Sequence, residues 1–271
     1  MKHIHRFFVS SDIAAGDSVR LDDDDSFHAS RVLRLKRGSL MELADAAGRV
    51  FEAVVERNDG PVEVTVGEEV VGEVPVGPAP VATVGLTVAQ ALPKGKKFDL
   101  VVEKLSEIGV AVLVPVFTGK SVARPARDSG EKLARWRRIA RAAAGQSKRN
   151  RVMEVAAPVS LGEWLKECSQ PLLVLATEAG ARSLTDALSC ATEAAAGPGE
   201  AAALEPGEAA ASGRQRLSLL VGPEAGFSDS EIETLAASGA VFASLGTQVL
   251  RTETAALVAA AIVMNRLGAL G

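Results

Sequence analysis

From residue 81 onward the chain alternates between short apolar, β-branched runs and helical stretches: VATVGLTVAQA, KFDLVVEKLSEIG, VAVLVPVF, EKLARWRRIARAAAGQ, and later RLSLLV and VFASL. No other feature constrains the fold as strongly. Strands separated by helices of this length cannot pair as hairpins, so they cross over and pair in parallel, which predicts an α/β domain with a parallel sheet. In EKLARWRRIARAAA the residues Leu133, Trp136, Ile139 and Ala143 recur every three or four positions and mark one apolar helix face. The opposite face is almost entirely arginine.

Residues 1–72 have another rhythm. HRFFVS, SLMELAD, RVFEAVVER and VEVTVGEEVV are short alternating runs broken by Gly and Asp, with one helical interruption at FHASRVLRL, and together they predict a small β-barrel. Residues 73–80, rich in proline, read as a linker, and 81–271 as the second domain. Within it, residues 191–213 hold ten alanines, four glutamates and Leu204 as the one large apolar side chain. So little apolar surface does not offset the entropy of ordering, so a disordered acidic insertion is expected there.

The composition excludes several classes. With 47% hydrophobic and 24% charged residues the chain matches an ordinary soluble protein, and its net charge of −4 gives no global sign of nucleic acid. The longest apolar run, Ala255 to Met264, falls well short of the ~20 residues that span a bilayer, and MKHIHRFFVSSD lacks the apolar core of a secretory signal. Cys168 and Cys190 form no CxxC, which argues against a disulfide framework and suits the reducing cytoplasm. His3, His5 and His28 are too scattered to suggest a metal site, and none is expected.

Four stretches could carry chemistry. FTGKSV resembles the end of a phosphate-binding loop, but position 114 is Val where that loop needs glycine, so only a Lys120 contact to a phosphodiester remains open. Residues 131–151 carry eight Lys or Arg against one Glu, a local polyanion footprint that includes Arg137 and Arg138 and runs on into Gln146, Arg149 and Asn150. A second cluster, Arg31, Arg34, Lys36 and Arg37, lies in the N-terminal half. In RLSLLVGPEAGFSDSEIE a strand ends in Gly222-Pro223-Glu224-Ala225-Gly226 and Ser228 or Asp229 caps a helix. LGTQVLRTETAALVAAAIV repeats that plan after VFASL, so two loops at successive strand ends could face one pocket.

The pair VGPEAGFS and LGTQVLRTETAAL, with HRFFV, HASRVLRLKRGS, KGKKFDLVVEKLSEIGV and AAGQSKRNRV in order, resembles the RsmE family of 16S rRNA (uracil-N3)-methyltransferases, part of the SPOUT superfamily, over nearly the whole chain. The resemblance implies a PUA-like RNA-binding barrel followed by a SPOUT domain threaded into a deep trefoil knot. It implies S-adenosylmethionine as cofactor, 16S rRNA as substrate, free or within an assembled small subunit, homodimerisation through the knotted domain, and a role in rRNA processing and ribosome biogenesis. Carried onto this chain, the cofactor would lie against Leu175, Thr177 and Glu178, against Gly222, Pro223, Glu224 and Gly226, and against Leu245, Gly246, Gln248, Leu250 and Thr254. RNA would meet Arg6, His28, Arg31, Arg34, Lys94, Lys97, Lys120, Arg137, Arg138, Gln146, Arg149 and Asn150. Three departures stand out. Ala225 replaces a usual glycine, at about 1 kcal/mol if the position needs a positive φ; Gln248 replaces a usual arginine; Lys148 and Met153 replace residues usually small or proline.

Methylation at uracil N3 requires loss of the imide proton, and the charge that develops spreads onto two carbonyl oxygens. Arg251 is the expected stabiliser of that charge, and Glu224 and Glu253 are the candidate bases, with a helix-terminus role equally open for Glu253. Two other readings stay open: methylation of another RNA position, such as a ribose hydroxyl, and an RNA-binding assembly factor without activity. A nucleotide-dependent oxidoreductase would need a full glycine fingerprint, which GPGEAA without its strand does not supply.

Overall fold

The computed structural model describes residues 4–70, 84–95, 97–121, 129–176, 181–196 and 215–270. The linker expected at 73–80 and most of the insertion expected at 191–213 lie outside these residues. In chain order the elements are β1 (Arg6–Phe8), β2 (Ser18–Arg20), α1 (Asp23–Phe27), a π-helical turn (His28–Val32), β3 (Leu40–Ala44), β4 (Val50–Arg57), β5 (Glu63–Glu69), β6 (Val84–Ala91), α2 (Lys97–Ile108), β7 (Val112–Phe117) and α3 (Ser129–Gln146). They continue with β8 (Glu154–Val155), β9 (Val159–Ser160), α4 (Leu161–Glu167), β10 (Leu172–Leu175), β11 (Arg182–Ser183), α5 (Leu184–Ala196), β12 (Gln215–Val221), α6 (Asp229–Ala237), β13 (Val241–Ser244) and α7 (Thr252–Arg266). The chain divides into two compact units: Met1–Glu73 with Arg141–Val152, and Val74–Ala140 with Met153–Gly271.

The first unit is built on a five-stranded sheet in the order β1-β3-β4-β5-β2, a curled half-barrel. Alternation along β3, β4 and β5 sends Met41, Leu43, Phe51, Ala53, Val55, Val64 and Val66 into one core with Phe7 and Leu21. Two register shifts between β4 and β5, at Phe51/Ala53 and Val55/Arg57, bend these strands and curl the sheet. The helical interruption begins earlier than FHASRVLRL: Asp22 caps α1 by accepting from the Asp25 amide at 2.8 Å, so the aspartate run starts the helix. The segment Arg141–Val152 belongs to this unit through packing as well as charge. Ala144 and Val152 join Phe8, Ala44 and Val50 in a second cluster. At Gly145 a Cβ would stand 2.6 Å from the Arg6 carbonyl oxygen, so only glycine permits this approach to β1.

The second unit contains an eight-stranded sheet in the order β11-β13-β10-β12-β6-β7-β8, with β9 beside β7, and its strand pairs are parallel. Leu86, Val88, Leu113, Leu173, Leu219 and Leu220 are fully buried, as strands covered on both faces require. The alternation of strands and helices therefore gives the expected parallel α/β architecture. Ala191 is buried and α5 runs on to Ala196, so the start of the expected insertion is helical. Alanine has the highest helix propensity, and one buried face suffices to continue the helix that Leu184 begins. Helix α7 buries Ala256, Ala259, Ala260, Val263 and Met264, while Val258 is exposed. No helix among the described residues is long and apolar enough to cross a membrane.

Candidate active site

Gln90, Val221, Leu175 and Ala243 lie in register across β6, β12, β10 and β13. The chain therefore leaves four neighbouring strands at one end, and the C-terminal end of a parallel sheet is where α/β proteins bind ligands. Leu175 closes β10 and is buried; Thr177 and Glu178, just beyond it, lie outside the described residues. The loop after β12 carries Gly222, Pro223, Glu224 and Gly226, and the loop after β13 carries Leu245, Gly246, Gln248 and Leu250. Thr254 is exposed in the first turn of α7. The described cofactor candidates are thus carried by the ends of three adjacent strands and the helix that follows the last.

Their loops are clasped from the side. The Lys120 ammonium donates to the Phe227 carbonyl at 2.9 Å and reaches that of Ala225 at 3.5 Å, while the Gly119 amide donates to Glu231 Oε1 at 2.7 Å. Ser228 and Glu231 form a capping box that starts α6, so Ser228 is the cap. Lys120, expected to touch phosphate, is committed to this loop. The strain expected at Ala225 is absent: the left-handed residue is Gly226, at φ +68°, and the described non-glycine residues with positive φ are Arg34 and Lys148. The methyl group of Ala225 consequently costs the backbone nothing.

At the mouth of the loops, Lys97 Nζ lies 3.2 Å from Glu224 Oε1 and 3.6 Å from Glu253 Oε2. The two candidate bases are thus tied to one ammonium, and Lys97 is drawn away from the RNA role expected of it. Glu253 is buried in the first turn of α7, where its charge complements the positive end of the helix dipole, and its Oε2 accepts no hydrogen bond among the described residues. Arg251 occupies the N-cap of α7, a place that favours side-chain acceptors and that its guanidinium cannot serve. Its side chain is exposed, without a hydrogen bond or ion pair among the described residues. Two residues that sequence reasoning passed over stand behind it. Gln90 Nε2 donates to Thr252 Oγ1 at 2.8 Å, and that hydroxyl donates to the Gly222 carbonyl at 2.6 Å. The available signal was one amide-bearing residue in the otherwise apolar end of β6, VAQAL.

The expected RNA contacts divide sharply. In the first unit Arg6 is spent: its Nε lies 2.8 Å from Glu42 and its Nη1 donates to the Lys148 carbonyl at 2.5 Å and to Asn150 Oδ1 at 2.7 Å. Lys148 also pairs with Glu42, at 2.9 Å, so burial raises the Glu42 pKa but the two cations outweigh it and hold the carboxyl below its ordinary range. Arg141 pairs with Asp25 at 2.5 Å and Asp22 at 3.3 Å and donates to the Phe8 carbonyl at 2.6 Å. Burial holds the Arg149 guanidinium below the usual arginine range. His28 sets its ring edge-on to Phe7. Arg31, Arg34 and Gln146 are exposed, as is the ring of Phe27 near Arg31 in the chain. In the second unit Lys94 and Arg138 are exposed, and Arg137 donates to the Val155 carbonyl at 3.2 Å. Among the described residues no group of three or more His, Cys, Asp or Glu could hold a metal ion.

Comparison with known proteins places this geometry. Residues 81–264 match the model of the RNA methyltransferase domain. The ribosomal RNA small subunit methyltransferase E of Mycobacterium bovis is 34% identical over 263 residues, which cover 93% of this chain and 88% of that protein. Its namesake from Synechocystis is 32% identical over 257 residues, 95% of this chain and 76% of that protein. Among solved structures, a Legionella pneumophila methyltransferase in complex with the bound cofactor SAM superposes with a TM-score of 0.80 at 26% identity, over 97% of this chain and 98% of that one.

Proposed function

This chain belongs to the RNA methyltransferase family, and from that premise we propose that it transfers the methyl group of S-adenosylmethionine to ring nitrogen 3 of a uridine in 16S rRNA. The observation that carries the reading is the alignment of the ends of β10, β12 and β13 at one end of the sheet, with the loops after β12 and β13 and an arginine that has no side-chain partner among the described residues. The residues present fit the cofactor. Gly226 has open space where a side chain would stand, and Gln90 Oε1 is a buried acceptor without a donor among the described residues. Leu175, Leu245 and Leu250 supply apolar surface nearby.

The sulfonium supplies an activated methyl group, so no metal is required. The chain's own part is to hold the base and carry its charge. The uracil imide edge normally faces a pairing partner, so the base enters unpaired or extruded. As the N3 proton departs, negative charge grows on the flanking carbonyl oxygens, and the Arg251 guanidinium, without a partner among the described residues, donates to them. Glu224 is exposed and takes the proton; Glu253, buried in the first turn of α7, anchors Lys97. Gln248, exposed in the loop after β13, is a neutral amide and does not replace the charge of the usual arginine, and Arg251 is left as the cation of that loop.

In the finer reading, the second unit is a SPOUT domain threaded into a trefoil knot, and the first is a PUA-like module that holds RNA through Arg31, Arg34 and their neighbours. Two copies pair through the face of α7 that exposes Val258, and the enzyme works in the cytoplasm on small-subunit rRNA. The direct test is nucleoside analysis of 16S rRNA from cells with and without the protein. Loss of 3-methyluridine is the expected result; an unchanged level removes the assignment.

A further inference from the structure

Gln90 is completely buried in a strand otherwise filled by Leu86, Val88, Ala89 and Ala91. A leucine of similar volume would fill the place without desolvating an amide. Instead the side chain spends both Nε2 hydrogens, one on the Ala91 carbonyl at 2.9 Å and one on Thr252 Oγ1 at 2.8 Å. The opposite amide orientation would set Oε1 against the Ala91 carbonyl, acceptor against acceptor, so the chemistry of the neighbours fixes which end is nitrogen. Because that nitrogen only donates, the Thr252 hydroxyl accepts from it and sends its own hydrogen to the Gly222 carbonyl, 2.6 Å away. The relay therefore has one direction and ties three distant stretches of chain. Its cost is visible: Gln90 Oε1 is left buried without a donor among the described residues, a penalty that packing alone does not explain.

We propose that Gln90 is a positioning residue for methyl transfer, acting through Thr252 to lock the loop after β12 and the start of α7 onto the end of β6. Arg251 is the residue before Thr252, and its side chain makes no hydrogen bond at the helix cap. The backbone from which its guanidinium extends is therefore anchored by the side chain that follows it. The inference rests on the reading of this end of the sheet as the methyl-transfer site.

Three variants of the full chain test it: Thr252→Val, which exchanges hydroxyl for methyl at constant shape; Thr252→Ser, which keeps the relay; and Gln90→Leu. Small misplacements near a reaction centre cost up to about 100-fold. Thr252→Val is accordingly expected to lower kcat by roughly 10- to 100-fold with KM for S-adenosylmethionine within about threefold, and Thr252→Ser to restore kcat to within about threefold of the parent. Combining Gln90→Leu with Thr252→Val should lose no more than the worse single change, since both break one relay. In the cofactor-free protein, amide hydrogen exchange at 222–228 and 251–254 should quicken about tenfold in Thr252→Val while α2 is unaffected. A kcat within twofold of the parent, losses that multiply, a serine variant as impaired as the valine one, or unaltered exchange overturns the proposal. If the parent protein transfers no methyl group, the proposed function fails by itself, and the exchange comparison still decides whether the latch exists.

Discussion

The charged side chains of Arg141–Val152 and those at the loop end of the parallel sheet behave in opposite ways. In the first region Arg141, Lys148 and Arg151 are bonded to Asp25, Glu42 and the Ala47 carbonyl, so cations that look like an RNA surface in the sequence instead hold their own segment in place. In the second, the Arg251 side chain has no partner among the described residues, and the buried Gln90 Oε1 lacks a donor there. Charge density in a sequence therefore misleads when the matching acids lie far away in the chain. Polar groups that remain unmet after folding are the better guide to chemistry.

The contrast can be attacked at its sharpest point first. Arg251→Ala should lower single-turnover methyl transfer by roughly 10²- to 10³-fold, the usual cost of one donor to a developing anion. Calorimetry should find cofactor affinity nearly unchanged. Retained turnover would move Arg251 into the class of spent charges. On the other side, Arg141→Met leaves Asp25 without its main partner and should lower unfolding stability by about 2 kcal/mol, read from the urea midpoint; an unmoved midpoint would mean that the pair contributes no net stability.

The smallest effect concerns pH. Glu42 has a carboxyl held below its ordinary value of 4.5, because Lys148 and Arg6 outweigh the effect of burial. A depressed folded value means that the contribution is present above the unfolded pKa and is lost as pH falls through the folded one. Thermal melts between pH 6 and pH 3 should therefore lose less for Glu42→Gln than for the parent. Parallel curves would show that the two cations do not stabilise this carboxylate.

Much of the second unit was legible because strands buried on both faces write continuous apolar runs such as RLSLLV, and because two glycine-bearing loops follow successive strands. The loop residues could be named from their order along the chain. What could not be read were bonds between distant positions. Arg141 and Asp25 are 116 residues apart, and nothing local to either marks the other. Nothing near Gln90 marks its role either, since its partner Thr252 comes 162 residues later. The ordering of glycine and alanine in GPEAGF also concealed which residue bears the positive φ, which depends on the turn as closed rather than on composition.

The pairing of β6 with β12 has a consequence in time. Ribosomes deliver β6 early, yet the strand that lies between it and β10 begins at Gln215 and ends at Val221. Until that stretch is made, the flank of β6 that will bear Gln215–Val221 presents unpaired amides and carbonyls, the kind of edge that invites wrong partners. The synthesis of residues 215–221 therefore decides the fate of a strand finished long before. Stalls in translation ahead of residue 215 should be far more harmful to this molecule than stalls of equal length after residue 244.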